Sequence, residues 1–171
     1  MSYKEETLKK EYIYKGKILN LRVDDAVLTN GKRCKREIIE HSGGAAVYAE
    51  KDNKVLFVKQ YRYAYQKEIY EIPAGKINNG EDPLDTARRE LEEECGYLAK
   101  DLTLMFKVYP TPGYTNEIIY IYKAKDLVKT KAHLDEGEFL TCEWIKKEEA
   151  LKMLENGDIN DAKTIIALLK A

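Results

Sequence analysis

The segment Gly75–Tyr97, GKINNGEDPLDTARRELEEECGY, decides how the chain is read. Asp82 is a good helix N-cap, Pro83 suits the first helical position, Asp85 adds charge in the first turn and Gly96 ends the run. The spacing predicts a helix over 83–95. At ~100° per residue, Leu84, Ala87, Leu91 and Cys95 form one apolar stripe. Glu90, Glu93 and Glu94 share a different side, with Glu90 and Glu94 one turn apart. Arg88–Gly96, RRELEEECG, thus crowds glutamates at a helix C-terminus that already carries partial negative charge. Arg89 reaches Glu93 at i,i+4, Glu92 points toward Arg88 as an ordinary solvated charge, and Glu90 and Glu94 find no basic partner at helical spacing. Each like-charge contact costs ~0.2–0.5 kcal/mol and acid at the wrong end of the dipole ~0.3–1 kcal/mol. Those costs are tolerable. Helix geometry alone leaves two readings open, a solvated acidic face and a divalent-cation site.

Outward from the helix, strand-like runs lie at 45–49 (AAVYA) and 54–62 (KVLFVKQYR), joined by the turn EKDN. Further upstream, 17–28 (KILNLRVDDAVL) and 33–40 (RCKREIIE) flank TNGK, where Asn30-Gly31 is a strong hairpin signal. Downstream, strands are expected at 102–109, 117–124 and 139–145, and KEEALKMLENG and NDAKTIIALLK read as closing helices. Strands with irregularly interspersed helices predict an α/β fold, a mixed sheet covered by helices. The division expected is 1–44 as an N-terminal β-ribbon and 45–171 as the main domain. The ribbon cannot bury both its faces unaided.

Composition excludes several classes. With 29 Lys+Arg against 30 Asp+Glu the formal net charge is -1, so no electrostatic footprint for nucleic acid or an anionic membrane is present. The N-terminal MSYKEETLKKEYIYKGK is charged and lacks the apolar core of a secretory signal, and no apolar run approaches the ~20 residues that cross a bilayer. Cys34, Cys95 and Cys142 are odd in number and far apart, which argues against a disulfide framework or a zinc site and for a reducing, cytoplasmic setting. His41 and His133 are too few and unsupported for a general-base role. The 13 tyrosines read as packing.

Gly75–Tyr97 resembles the Nudix box: Gly, five residues, Glu, seven residues, then Arg-Glu-apolar-x-Glu-Glu-x-Gly-apolar. Gly75, Glu81, Arg89, Glu90, Leu91, Glu93, Glu94 and Gly96 fit, and Tyr97 stands where Ile, Leu or Val is usual. The resemblance implies an α/β/α sandwich, a loop-helix-loop that binds Mg²⁺ or Mn²⁺, and hydrolysis of a nucleoside diphosphate linked to another group. It implies metal binding by Glu90 and Glu94, with Glu93 nearby and the backbone carbonyl of Ala74 as a further ligand. Arg89 would orient the glutamates, and Glu81 would brace the loop rather than bind metal.

KREIIEH, VKQYR, EIPAGK, PTPGYTNE, LDEGEF and NDAKTIIAL are similar, in that order, to the ADP-ribose pyrophosphatase branch of the family, and Pro112 falls where that branch carries a marker proline. Members of the branch use the N-terminal ribbon to build a two-fold homodimer with shared active sites. The likeness implies Arg36 at the diphosphate or adenosine portion, Arg62 in the substrate cleft and Glu117 near the terminal ribose. Bidentate arginine chemistry suits a diphosphate. On the loop AHLDEGEFL, Gly137 gives freedom, and the expectation is Glu136 as the base and Glu138 as a metal ligand, with the reverse open. The implied reaction is ADP-ribose to AMP and ribose 5-phosphate. Another nucleoside diphosphate sugar, an oxidised nucleotide, or a non-catalytic regulator that binds ADP-ribose stand as alternatives.

Overall fold

The computed structural model describes residues 3–171, and the chain divides into two units: residues up to Gly43 with Tyr109–Ile118, and Gly44–Val108 with Ile119–Ala171. The first unit is a three-stranded antiparallel sheet of β1 (Glu6–Lys15), β2 (Leu19–Val27) and β3 (Arg33–His41), in that order. Asn30 and Gly31 form the turn between β2 and β3: Gly31 has φ +80°, and the Asn30 carboxamide accepts the Lys32 amide at 3.1 Å. The segment 109–118 adds to this unit through a parallel bridge between Ile39 and Thr115. Strand β1 was not anticipated, because its residues are mostly charged or aromatic with no polar–apolar alternation, and every one of them is exposed.

The second unit is built on a mixed sheet. Its strands are β4 (Gly44–Lys51), β5 (Lys54–Arg62), β6 (Lys67–Glu71), β7 (Ala74–Lys76), β8 (Tyr97–Val108), β9 (Ile119–Lys129) and β10 (Leu140–Lys146). Their order is β10-β5-β4-β9-β8, with β6 beside β5 and β7 beside β4. The β4–β9 pair is parallel and the other pairs are antiparallel. Three helices complete the unit: α1 (Pro83–Cys95), α2 (Lys147–Glu155) and α3 (Ala162–Lys170).

Strand β4 is apolar on both faces, and its alternation sorts residues into two cores. Ala45, Val47 and Ala49 pack with Ala87, Leu91 and Cys95 of α1, while Ala46 and Tyr48 pack with Ala150 of α2 and Ala167 and Leu168 of α3. The adjacent β5 divides likewise, Leu56 and Val58 on the first side and Val55 and Phe57 on the second. That arrangement is the α/β/α sandwich. Complete burial of Leu91 stabilises α1 by roughly 1.5–3 kcal/mol, which outweighs the like-charge contacts on its acidic face.

Two local features depart from expectation. Strand β8 starts at Tyr97, immediately after the helix cap, and not at 102. Tyr97 packs edge-on against Trp144 with ring centroids 5.6 Å apart, and its hydroxyl accepts the indole N–H at 3.0 Å. An aromatic side chain therefore fills the box's final apolar position and satisfies a neighbouring donor. Cys95 and Cys142 are joined by a disulfide with Cα atoms 5.7 Å apart, which corrects the expectation that no cysteines pair. Their sequence separation of 47 gave no sign that β10 passes the end of α1.

Candidate active site

The acidic helix is closed at both ends by its own sequence. The Asp82 carboxylate accepts the Leu84 amide at 2.8 Å, and Gly96 takes φ +64° as the left-handed cap. Carbonyls of the last turn also find partners: Glu93 accepts the His133 amide at 2.9 Å, and the Lys129 ammonium reaches the Cys95 carbonyl at 3.2 Å. The negative end of the dipole is thus met by a cation and backbone donors, which lowers the cost of placing glutamates there.

Arg89 organises these acids. Its Nε donates to Glu81 at 2.9 Å, and its Nη1 donates to Glu90 at 2.7 Å and Glu93 at 2.9 Å. Glu90 finds no basic partner at helical spacing, as expected, but the long guanidinium side chain of Arg89 turns back along its own helix to the adjacent residue. Glu81 also accepts the Asn78 amide at 3.0 Å, tying the loop to α1. The Arg89 hydrogen bond holds the Glu81 carboxyl down at about 2. A Cβ on Gly75 would overlap the Glu90 carboxyl and push it aside, so glycine keeps that carboxyl where it is.

Glu90 and Glu94 are both buried. Burial, followed by the charge of Glu90, pushes Glu94 up to about 8, against one amide donor, Ala74, at 3.0 Å. Burial likewise raises Glu90 despite Arg89. The charge of Glu138 acts on both carboxyls, so its loop faces the pair. Glu136 is exposed one residue before Gly137, which has φ +90°.

The donor chemistry fits a hard divalent cation. Among the described residues, Glu90 Oε2 and Glu94 Oε1 accept no protein hydrogen bond, and two desolvated carboxyls side by side call for positive charge. No three carboxylate, imidazole or thiol groups among the described residues gather closely enough to ligate one ion. Glu93, an expected contributor, is engaged with Arg89.

Arg62 forks onto Glu71 through Nε at 2.6 Å and Nη2 at 2.8 Å, and both residues act electrostatically on Glu94. Glu71 and its second partner, Lys163, were not singled out from the sequence. Their signals were an acid before the apolar Ile72 and a lysine in the first turn of a mostly apolar helix.

In the first unit, Arg36 is paired with Glu5 at 2.8 and 2.7 Å. It lines a cavity of about 350 Å³ together with Arg22, Asp24, Pro112, Tyr114 and Asn116. Glu117 lies 3.4 Å from Nδ1 of His41. The structure thus brings Arg36 and Pro112 together in one unit, and groups Arg62, Ala74, Glu90, Glu93, Glu94 and Glu138 in the other.

With this geometry in place, comparison with known proteins identifies the class. The chain matches the NUDIX domain over residues 41–168 and the nucleoside diphosphate sugar hydrolase N-terminal domain over residues 5–39, and it belongs to the Nudix family. It is 45% identical to the ADP-ribose pyrophosphatase of Bacillus subtilis (strain 168), over 98% of this chain and 92% of that protein. It is 44% identical to the methanol dehydrogenase activator of Bacillus methanolicus, over 97% and 91% of the two chains. A crystal structure of an ADP compounds hydrolase superposes with a TM-score of 0.86 at 25% identity, covering 99% of this chain and 93% of that one. No helix of the described residues is long and apolar enough to cross a membrane.

Proposed function

We propose that the protein hydrolyses the diphosphate bond of ADP-ribose to AMP and ribose 5-phosphate, with Mg²⁺ or Mn²⁺ as cofactor. The carrying observation is the buried Glu90–Glu94 pair, each carboxyl keeping one oxygen free of protein donors. The choice of substrate is supported by full-length relatives named ADP-ribose pyrophosphatase and by the N-terminal match to sugar-nucleotide hydrolases.

Glu90, Glu94 and the Ala74 carbonyl would hold the metal, with Glu93 kept in place by Arg89. Glu138, not gathered with the pair in the structure, would join as a further ligand through movement of its loop at Gly137. A divalent cation supplies charge neutralisation at the diphosphate and makes the attacking water more acidic. Arg62 presents guanidinium donors to the diphosphate, and Arg36 meets the diphosphate or adenosine portion. Pro112 shapes the wall near Arg36, and Glu117 lies at the terminal ribose. Glu136 takes the proton from water as its oxygen bonds to phosphorus and the bridging oxygen departs with the other product.

Strand β1 is exposed along its length, with Tyr12, Ile13 and Tyr14 uncovered, and Ile18 just beyond it is uncovered as well. An apolar edge of this kind calls for a partner. A two-fold homodimer built through residues 1–44, with active sites shared between subunits and 45–171 as the hydrolase domain, supplies one. The Cys95–Cys142 disulfide removes the cysteine argument for a reducing, cytoplasmic setting.

Purified protein incubated with ADP-ribose and Mg²⁺ is expected to release AMP, and to sediment as a dimer. Glu136→Gln is expected to lower kcat by about 100-fold or more, and by more than Glu138→Gln does. The opposite ranking would exchange the two roles, and a nucleoside triphosphate cleaved faster than ADP-ribose would displace the substrate assignment.

A further inference from the structure

Glu71 is a carboxylate set in a core, 2% exposed and next to the fully buried Ile72. A charge in that position must be paired closely or it destabilises the fold. Arg62 supplies two donors and Lys163 a third through its Nζ. Together they hold Glu71 below its usual carboxylate range in spite of burial. Lys163 is itself buried and makes a second bond to Asp161 at 3.0 Å. The other Asp161 oxygen caps α3, accepting the Thr164 amide at 3.0 Å and its hydroxyl at 2.6 Å. Thr164 Oγ1 accepts the Ile72 amide at 2.8 Å, which returns the network to the residue after Glu71.

The first turn of α3 is thereby clamped to the strand end that leads into Ala74. Thr164 alone would anchor that backbone. An apolar pair in place of Glu71 and Lys163 would fill the space without the desolvation of two charges. What the ionic pair adds is direction. Glu71 grips Arg62 along its Nε–Nη2 edge, and among the described residues Nη1 takes no protein partner. The Arg62 side chain is 42% exposed, so the free edge can meet a ligand.

We infer that Lys163 and Glu71 are positioning residues: Lys163 fixes the Glu71 carboxylate, and Glu71 holds the Arg62 guanidinium edge-on so that Nη1 faces the diphosphate. This rests on the proposed contact of Arg62 with the diphosphate. A planar fork gains from such pre-orientation, because little rotamer freedom is left to lose on binding.

The test is a double-mutant cycle read with inorganic pyrophosphate and Mg²⁺ by calorimetry, a probe that needs neither turnover nor a nucleoside site. Lys163→Met is expected to weaken pyrophosphate by about ten-fold, and to raise the KM for ADP-ribose with kcat changed less than about three-fold. Lys163→Arg is expected to restore both. Arg62→Ala is expected to weaken binding by itself, and Lys163→Met added to Arg62→Ala to cause no further loss. Additive losses, a Lys163→Met variant equal to wild type, or Arg62→Ala binding as well as wild type would each overturn the inference. If Lys163→Met does not fold, Glu71→Gln takes its place in the same cycle with the same criteria. A wild-type protein that binds pyrophosphate through Arg62 yet leaves ADP-ribose intact faults the substrate reading alone, and the cycle still judges the positioning role.

Discussion

In metal-free buffer at pH 7, Glu94→Gln is expected to melt several degrees above the wild-type chain while hydrolysis falls by at least about 100-fold. Glu94 is 6% exposed, and burial with the neighbouring Glu90 charge raises it from 4.5 to about 8. A carboxyl raised in the folded state keeps a proton that the unfolded chain sheds. Its contribution is therefore unfavourable, growing as pH rises from 4.5 to about 8. At pH 7 roughly 2.5 units of that window have been crossed, on the order of 3 kcal/mol. Glutamine removes the penalty, since its carbonyl still accepts the Ala74 amide. At about 2–4 °C per kcal/mol, part of that sum is readily seen in a melting curve. Added Mg²⁺ should raise the wild-type melting temperature and leave the variant unmoved, because a cation that binds only the folded site stabilises by mass action. A variant that melts below wild type in metal-free buffer would contradict the desolvated state assigned to Glu94.

Arg89→Ala is expected to lose about 2–4 kcal/mol of stability together with most activity. Three carboxylates, Glu81, Glu90 and Glu93, give up one shared cation, and all are at least partly buried. The estimate sits toward the lower part of the range for buried pairs because the Arg89 side chain is 29% exposed. Acid adds a second signature. Arg89 depresses Glu81 to about 2, so that pairing contributes stability above 4.5 that is lost as pH falls toward 2. In Arg89→Ala this loss has largely happened already, and the dependence of stability on pH between 4.5 and 2 should flatten. Arg89→Lys should fall between, since a point charge cannot serve three acceptors along a planar fork. Urea unfolding at a series of acid pH values measures both effects. An unchanged slope in Arg89→Ala would show that Glu81 is held by its Asn78 amide instead.

The acidic helix was legible because its signals are local. Asp82, Pro83 and Gly96 mark its ends, and 3.6-residue periodicity separates Leu91 from Glu90 and Glu94. The two-sided strands β4 and β5 were legible as short continuous apolar runs. Strands β6 and β7 were not, since five and three residues carry no pattern and their pairing is set by β5 and β4. Strand β1 was hidden because neither face of it is covered within the chain, so burial left no imprint on its sequence. In the site, helix geometry predicted which acids share a face. It missed the Arg89–Glu90 bond, which depends on a side-chain rotamer. Lys163 and Glu71 stand 92 residues apart, and only the packing of α3 beneath the sheet brings them together.

The alternation of β4 carries a lesson for redesign. Neighbouring residues of this strand answer to different layers, Val47 to the helix of acids and Tyr48 to the two C-terminal helices. Volume exchanged among Tyr48, Phe57 and Leu168 is absorbed on the far side of the sheet. An engineer seeking a hardier scaffold can therefore refit that rear compartment with fresh hydrocarbon while the reactive front keeps its registration, provided Ile72, Ala74 and the polar strap from Lys163 to Glu71 are left untouched.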